Sequence, residues 1–256
     1  MNTFRSSLPA SPAPTPFVPP PEVIAILDVD QDLGRSLPAS QRAAVAHAAR
    51  ARLLRIPQGA WEPEERGGMG HLIVSGLLAR TVRLGRREAL ELLGPGDLIR
   101  PAPDDVTALI ECEVAWQVVS SACVAVLDAR FARMTSRWPQ LTTAIVDRGL
   151  RRARWLAIQA AIASHPTVDE RLMLMFCHLG ERLGRMTPRG VAMDLPLSHR
   201  LLAHSVRALR PAVTVSLQRL RDAGRIEQTS RGRWLITHDG LAFADSLCRQ
   251  PAMVVC

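Results

Sequence analysis

Along this chain the spacing of hydrophobic and polar positions changes once, and the change divides it. Between residues 22 and 138 apolar residues come in short, Gly-punctuated runs over 52–56, 71–75, 77–84, 88–93, 106–111, 114–119 and 123–127. Runs of this length at roughly ten-residue spacing predict short strands in a β-barrel or jelly roll. In one of them Leu78, Arg80, Val82 and Leu84 fall on one face and Ala79, Thr81 and Arg83 on the other. That is the alternation of a half-buried strand, and Gly85-Arg86-Arg87 follows as a hairpin turn. Ser40 is placed to cap a short helix running to Arg50 ahead of the strands.

After Phe131 the period becomes helical. Pro139 suits a first turn, and the stretch to Ser164 contains only Gly149 as a further breaker, which predicts a helix of up to about 26 residues, ~39 Å long. Val146, Gly149, Leu150, Ala153, Ala157 and Ala160 recur along it at three- and four-residue steps, small or apolar enough for a second helix to approach closely. That stripe is either a seam between two copies or a face packed on the barrel. His165-Pro166-Thr167 ends the helix. A further amphipathic helix is expected over 168–183, with Leu172, Met175, Phe176 and Leu179 on one side.

From Leu195 the signals sharpen. Ser198 caps a helix to about Val206 whose Leu201, Leu202 and Val206 point inward, and Ala203 suits a close crossing. Pro211 then opens a second helix with Val213, Leu217 and Leu220 as its buried stripe. Two short helices with a tight link predict a helix-turn-helix, and a hairpin over 226–228 and 234–237 makes it a winged helix. Opposite the buried stripe stand Pro211, Val215, Gln218 and Arg219, flanked by Arg210 and Thr214. Arg and Gln form paired hydrogen bonds to guanine and adenine, and an exposed mid-helix Val suits a thymine methyl. A small helical bundle with an Arg-rich surface is the plainer reading of the same periodicity.

Charge supports the nucleic-acid reading. The chain has no Lys, no Tyr and a single Asn, so all 32 cationic side chains are Arg, the bias of a GC-rich genome, and the net charge of +8 says more than the isoelectric point. Residues 1–138 hold 15 Arg against 15 acids, whereas 139–256 hold 17 against 9, so all the excess lies in the second half. Residues 195–240 alone carry eight Arg and three acids. Phosphates are the natural counterpart, and Ser198, His199, Arg207, Arg219, Arg231 and Arg233 are the residues expected to meet them. Arg210, Thr214, Val215 and Gln218 are expected to read bases.

Other chemistries find little support. The longest uncharged apolar stretch, 114–127, is too short to span a bilayer, and the Pro-rich segment 1–21 reads as a disordered tail rather than a signal peptide, so the chain is expected in the cytoplasm with no membrane partner. Five Cys without a CxxC pair suggest neither a disulfide framework nor a zinc ribbon. There is no P-loop, HExxH or GxGxxG; His199 and His204 are misphased for a shared metal, and the neighbours Cys177 and His178 diverge on a helix. No enzyme, catalytic residue or metal site is expected.

The residues Leu197-Ser198, Leu202-Ala203, Val206, Arg210, Val213 and the Leu217, Leu220, Gly224, Ile226 series resemble the winged-helix end of the cyclic-AMP receptor protein (Crp/Fnr) superfamily. The runs 71–76, 85–87 and Leu92-Leu93-Gly94-Pro95-Gly96-Asp97-Leu98 resemble the glycine-spaced turns of its cyclic-nucleotide-binding-like barrel, so the resemblance covers about residues 24 to 245. It implies an α+β protein in five parts: the tail 1–21, a jelly-roll sensor barrel 22–138, a dimerisation helix 139–165, a winged helix-turn-helix domain 166–245, and a C-terminal tail 246–256. It also implies a homodimeric regulator that binds double-stranded promoter DNA and works with RNA polymerase. The alternative is a ligand-sensing or protein-interaction module that does not bind DNA.

The departures from that family are as informative. Members that bind a cyclic nucleotide follow the Gly-Asp-Leu turn with a Gly-Glu pair and then an Arg-Ser or Arg-Thr pair. Here Arg100-Pro101-Ala102-Pro103-Asp104-Asp105 follows, with no Arg between Arg100 and Arg130. Arg100 is expected to pair with those acids at the surface, and cyclic AMP is not expected to bind. The barrel either holds a less anionic ligand or serves as a platform, and no cofactor is expected. No N-terminal cysteine cluster is present, and haem ligation by Cys112 or His71 is disfavoured because a buried thiol is usually core. At the usual turn Gly stands Arg207, where a positive φ would cost energy. Only Arg210 of the family's usual reading residues carries over.

Overall fold

A computed structural model describes residues 22–64, 68–100, 110–230 and 232–249. The tail expected at 1–21 and residues 250–256 of the tail expected at 246–256 lie outside them. Strand β1 (Val23–Ala25), helical turn α1 (Ile26–Val29) and a 3-10 turn (Gln31–Gly34) lead into α2 (Ala39–Ala48). No side chain caps α2. Pro38, at φ −56° and ψ 142°, precedes it and sets the chain direction, so Ser40 lies inside the first turn instead of at the cap. Arg50 has left the helix and opens β2 (Arg50–Ile56).

Strands β2, β3 (Gly59–Ala60), β4 (Gly70–Leu84), β5 (Arg87–Leu93), β6 (Leu98–Ile99) and β7 (Glu113–Leu127) join β1 in an antiparallel sheet of order β1-β2-β7-β4-β5, with β3 on β7 and β6 on β4. Where alternation suggested four short strands, the chain makes two long ones. Residues 71–75 and 77–84 are halves of β4, and 114–119 and 123–127 are halves of β7. A bulge joins the halves. Pairing shifts register around Ser75 and Leu77, Gly76 takes φ +90°, and a Cβ there would stand 2.6 Å from Ala122 Cα. Ser120 Oγ accepts from the Leu77 N–H at 3.0 Å in place of a ladder bond. The strand expected over 106–111 falls largely on residues 101–109, outside the described residues, and Ile110 and Glu111 are not in a strand. The hairpin turn is Gly85-Arg86 alone, since Arg87 pairs with Leu84.

The two faces of the β4–β5 hairpin serve different cores. Ile73, Leu78 and Leu93 point into the barrel with Val118, Val124, Trp61 and Trp116, while Leu77, Ala79, Leu90 and Leu92 belong to the core of the C-terminal half. Coverage on both sides erases the expected alternation. Leu77, Leu78 and Ala79 are all buried, whereas Leu84, expected on the buried face, is 48% exposed near the hairpin tip.

Helix α3 (Ala129–Thr135) is capped by Asp128, whose carboxylate accepts from Phe131 N at 2.8 Å. Helices α4 (Pro139–Ala163) and α5 (Val168–Leu183) follow the predicted bounds closely, and Thr167 caps α5. Then come β8 (Arg185–Thr187), β9 (Gly190–Asp194), α6 (His199–Ser205), α7 (Arg210–Asp222), β10 (Ile226–Ser230), β11 (Arg233–Thr237) and α8 (His238–Cys248). The second sheet has the order β10-β11-β9-β8, so the unpredicted β8–β9 hairpin doubles the wing's sheet. Helix α8, also unpredicted, is capped by Thr237 and continues past residue 245 with Leu247 buried.

Candidate nucleic-acid interface

The two helices α6 and α7 are locally encoded. Ser198 Oγ accepts from Leu201 N at 3.1 Å and starts α6, and Pro211 in the first turn starts α7. Ala203, buried, lies where they meet. Between them Arg207 adopts φ +51°, and among the described residues it is the non-glycine with positive φ. Ala208 N donates to Ala203 O at 2.9 Å and Arg207 N to His204 O at 3.4 Å, the paired bonds of a Schellman helix end. From α5, Arg171 Nη1 donates to Val206 O at 3.0 Å and Arg207 O at 3.3 Å, so tertiary hydrogen bonds hold a turn that its side chain disfavours.

The predicted readers share one exposed face. Val213, Ser216, Leu217 and Leu220 are buried, while Arg210, Thr214, Val215, Gln218 and Arg219 are exposed. Thr214 Oγ1 stands 2.9 Å from His199 Nδ1, which brings the start of α6 onto the exposed face of α7. Burial and the nearby Arg221 and Arg210 hold the His199 imidazole below its ordinary pKa, so it meets this surface neutral. Several residues already have partners. Gln218 Nε2 donates to Asp222 at 2.7 Å, Arg219 lies 3.5 Å from Asp169, and Arg233 Nε donates to Asp194 at 2.8 Å. Ser198 and Arg207 are exposed, and Arg231 lies outside the described residues.

Helix α4 turns a partly polar face towards its own protein and a stripe of small and apolar residues outwards. Leu141, Ile145, Arg148, Arg152, Trp155, Gln159 and Ile162 repeat at four and three residues and face the protein. Arg148 pairs with Asp30, Arg152 makes two bonds of 2.7 Å to Glu91, and Gln159 donates to Leu90 O at 2.7 Å. The expected seam, Val146, Gly149, Leu150, Ala153, Ala157 and Ala160, repeats on the other side and is exposed throughout, Val146 at 55% and Leu150 at 65%. That stripe does not pack on its own barrel.

By sequence, no family model and no curated protein matches the chain. By structure, similar folds abound. A CooA variant from Carboxydothermus hydrogenoformans has a TM-score of 0.57 at 17% identity, covering 76% of this chain and 88% of that one. A CRP-family transcriptional regulator from Thermus thermophilus, TTHB099, has 0.54 at 18%, covering 75% and 95%. The fold is that of the Crp/Fnr regulators. A cyclic nucleotide-binding domain containing protein from Listeria monocytogenes EGD-e is also similar, with a TM-score of 0.59 at 14% identity, covering 77% and 90%.

Within this Crp/Fnr fold the glycine-spaced turn before β6 holds a residue that the sequence did not single out. Asp97, fully buried, accepts from Gly94 N and from Arg182 Nη2, both at 2.8 Å, and Arg182 also reaches Leu92 O at 3.2 Å. The Arg182 guanidinium lies 4.0 Å from the centre of the Trp155 ring. Barrel, α4 and α5 thus meet at one cation. Its signal is present but faint: Arg148, Arg152 and Arg182 all occupy positions that continue an apolar stripe.

The remaining candidates sit apart from this junction. His71 is buried with its ring edge-on to Trp61 at 5.9 Å, whereas Cys112 is exposed, so the expectation of a buried core thiol there is corrected. Its segment lies ahead of β7, outside the packed sheet. Arg100 is exposed, and Asp104 and Asp105, its expected partners, lie outside the described residues. Burial pushes the Cys177 thiol up to about 11, the opposite of an activated nucleophile. Among the described residues no cluster of His, Cys, Asp and Glu is placed to hold a metal, and no helix is long and apolar enough to cross a membrane.

Proposed function

We propose that this protein is a dimeric, sequence-specific DNA-binding transcription regulator of the Crp/Fnr type, acting in the cytoplasm without catalysis. The observation that carries the reading is the exposed face of α7: Arg210, Thr214, Val215 and Gln218 together, with arginines around them. Arg210 contacts a base edge at the first turn of the reading helix, and Thr214, Val215 and Gln218 complete the readout. Ser198, His199, Arg207, Arg219, Arg231 and Arg233 contact phosphates. Arg219 and Arg233 exchange exposed intramolecular ion pairs for phosphate at little cost, since such pairs are worth ~1 kcal/mol or less.

The exposed stripe of α4 forms a twofold seam, which leaves residues 22–138, 139–165 and 166–245 as sensor barrel, dimerisation helix and reading domain. A helix that turns Arg148 and Arg152 towards its own protein and leaves Val146, Leu150 and Ala153 outside is built to meet a second apolar surface. Twofold symmetry then makes the operator a near-palindrome with half-sites about one helical turn apart. RNA polymerase is the further partner.

The barrel is a degenerate sensor. Beside the turn where a cyclic phosphate would need cations, Asp97 and Glu91 already take Arg182 and Arg152. Burying a phosphate against these pairs without a free cation costs several kcal/mol. Calorimetry with cyclic AMP is expected to show no micromolar binding. The function as a whole is tested by selection from randomised duplexes and by genome-wide mapping of bound DNA. A single enriched near-palindrome supports it, and binding without sequence preference refutes it.

A further inference from the structure

The reading face of α7 is apolar at its centre. Leu209, at the cap, is 78% exposed and Val215 50%, and Pro211 and Ala212 are exposed beside them. The neighbouring polar groups are engaged: Thr214 Oγ1 donates to Arg210 O at 3.1 Å and meets His199, and Gln218 is tied to Asp222. The Arg210 side chain makes no hydrogen bond or ion pair among the described residues. Such a face offers one free guanidinium and a contiguous hydrocarbon patch, with few spare hydrogen-bonding groups.

Charge names the occupant. Arg207, Arg210 and Arg219 are exposed on and beside this helix, which suits a polyanion better than an apolar protein groove. In the major groove the one apolar group at a base edge is the 5-methyl of thymine; cytosine instead presents an amino donor. Cytosine carries only hydrogen where thymine carries its methyl, so it leaves Pro211 and Val215 without that apolar contact and the patch favours thymine. Pro211 and Val215 are four residues apart on one face, about 6 Å along the axis, a span of between one and two base-pair steps of ~3.4 Å.

We propose that Pro211 and Val215, with Ala212 beside them, read the 5-methyl groups of two neighbouring thymines in each half-site, next to the base taken by Arg210. This rests on the DNA-reading function above and adds the chemical group recognised. Selection in solution reads hydrogen-bond and methyl preferences together, so the methyl must be removed by itself.

The test takes the operator obtained by randomised selection and replaces each thymine in turn with deoxyuridine, which keeps every hydrogen-bonding group and lacks the methyl. At two adjacent positions per half-site the affinity of the full-length protein is expected to fall about three- to fivefold per methyl, with other thymines indifferent. Val215→Ala, an exposed change checked for folding by circular dichroism, is expected to weaken binding to the thymine operator and leave the deoxyuridine operator nearly unaffected. Sequence-specific binding that ignores deoxyuridine everywhere overturns this inference and leaves the regulator reading intact. So does a selected operator without adjacent thymines. Absence of sequence-specific DNA binding overturns both, even if the patch captures a protein.

Discussion

Arg182 donates to Asp97 at 2.8 Å across the junction of barrel and winged helix, with both side chains buried and the guanidinium stacked on Trp155. Burial pushes the Asp97 carboxyl above its ordinary range, against the pull of Arg182, so the pair is held at a desolvation cost. Removing one partner strands the other. Asp97→Ala is expected to destabilise the protein by about 3–5 kcal/mol, and the double substitution Asp97→Leu with Arg182→Met to recover most of that loss. Urea denaturation of the wild-type protein, Asp97→Leu, Arg182→Met and the double variant gives the coupling directly.

His178, one turn before Arg182 on α5, supplies a pH dependence. Burial and the Arg182 charge hold its imidazole down to about 4 against 6.5 in the unfolded chain. As pH falls from 6.5 towards 4 the unfolded state takes the proton first, so stability is full above 6.5 and is lost through that window. The loss is at most about 3 kcal/mol. His178→Gln should flatten the profile of chemical-denaturation midpoints over that range; an unchanged slope assigns the effect elsewhere.

At Arg207 stability and binding oppose each other. Glycine relieves a positive φ of +51° without disturbing the backbone bonds from Ala208 and Arg171. Arg207→Gly is expected to raise stability by ~1 kcal/mol while lowering the slope of log affinity against log salt by about one. Thermal unfolding and salt titrations on the same preparation read the two effects separately.

Ala153 lies in the exposed stripe of α4, away from α7. A carboxylate there charges a face of Val146, Leu150, Ala157 and Ala160, so Ala153→Glu should shift the protein from dimer to monomer in light scattering. DNA affinity then falls through lost bivalency, with the preference within one half-site unchanged.

Arg210 and Arg231 separate reading from clamping. Arg210→Ala is expected to cost about 1–3 kcal/mol and relax preference at one position per half-site, whereas Arg231→Ala weakens all sequences alike and flattens the salt slope by about one. A selection that returns the same motif for Arg210→Ala would place the readout on another element.

Much of this protein is legible in one dimension because local forces decide it. Ser198 and Pro211 start α6 and α7 by chemistry within a turn, and the period-3.6 stripe of Val213, Leu217 and Leu220 marks its buried face before any partner is known. The positive φ at Arg207 is signalled only through the family resemblance, in which a glycine usually stands at this turn. What the chain could not state by itself is which surface each face meets. Leu77 and Ala79 look like the outside of a strand until the winged helix covers them. The fusion of paired runs into β4 and β7 depends on a bulge whose missing ladder bond is supplied by Ser120 from the facing strand. Arg148, Arg152 and Arg182 interrupt apolar registers, and their cost in isolation reads as a polar edge. Only tertiary contact with Asp30, Glu91 and Asp97, distant in sequence, makes their burial tolerable, because a desolvated cation needs its counter-ion within hydrogen-bond reach.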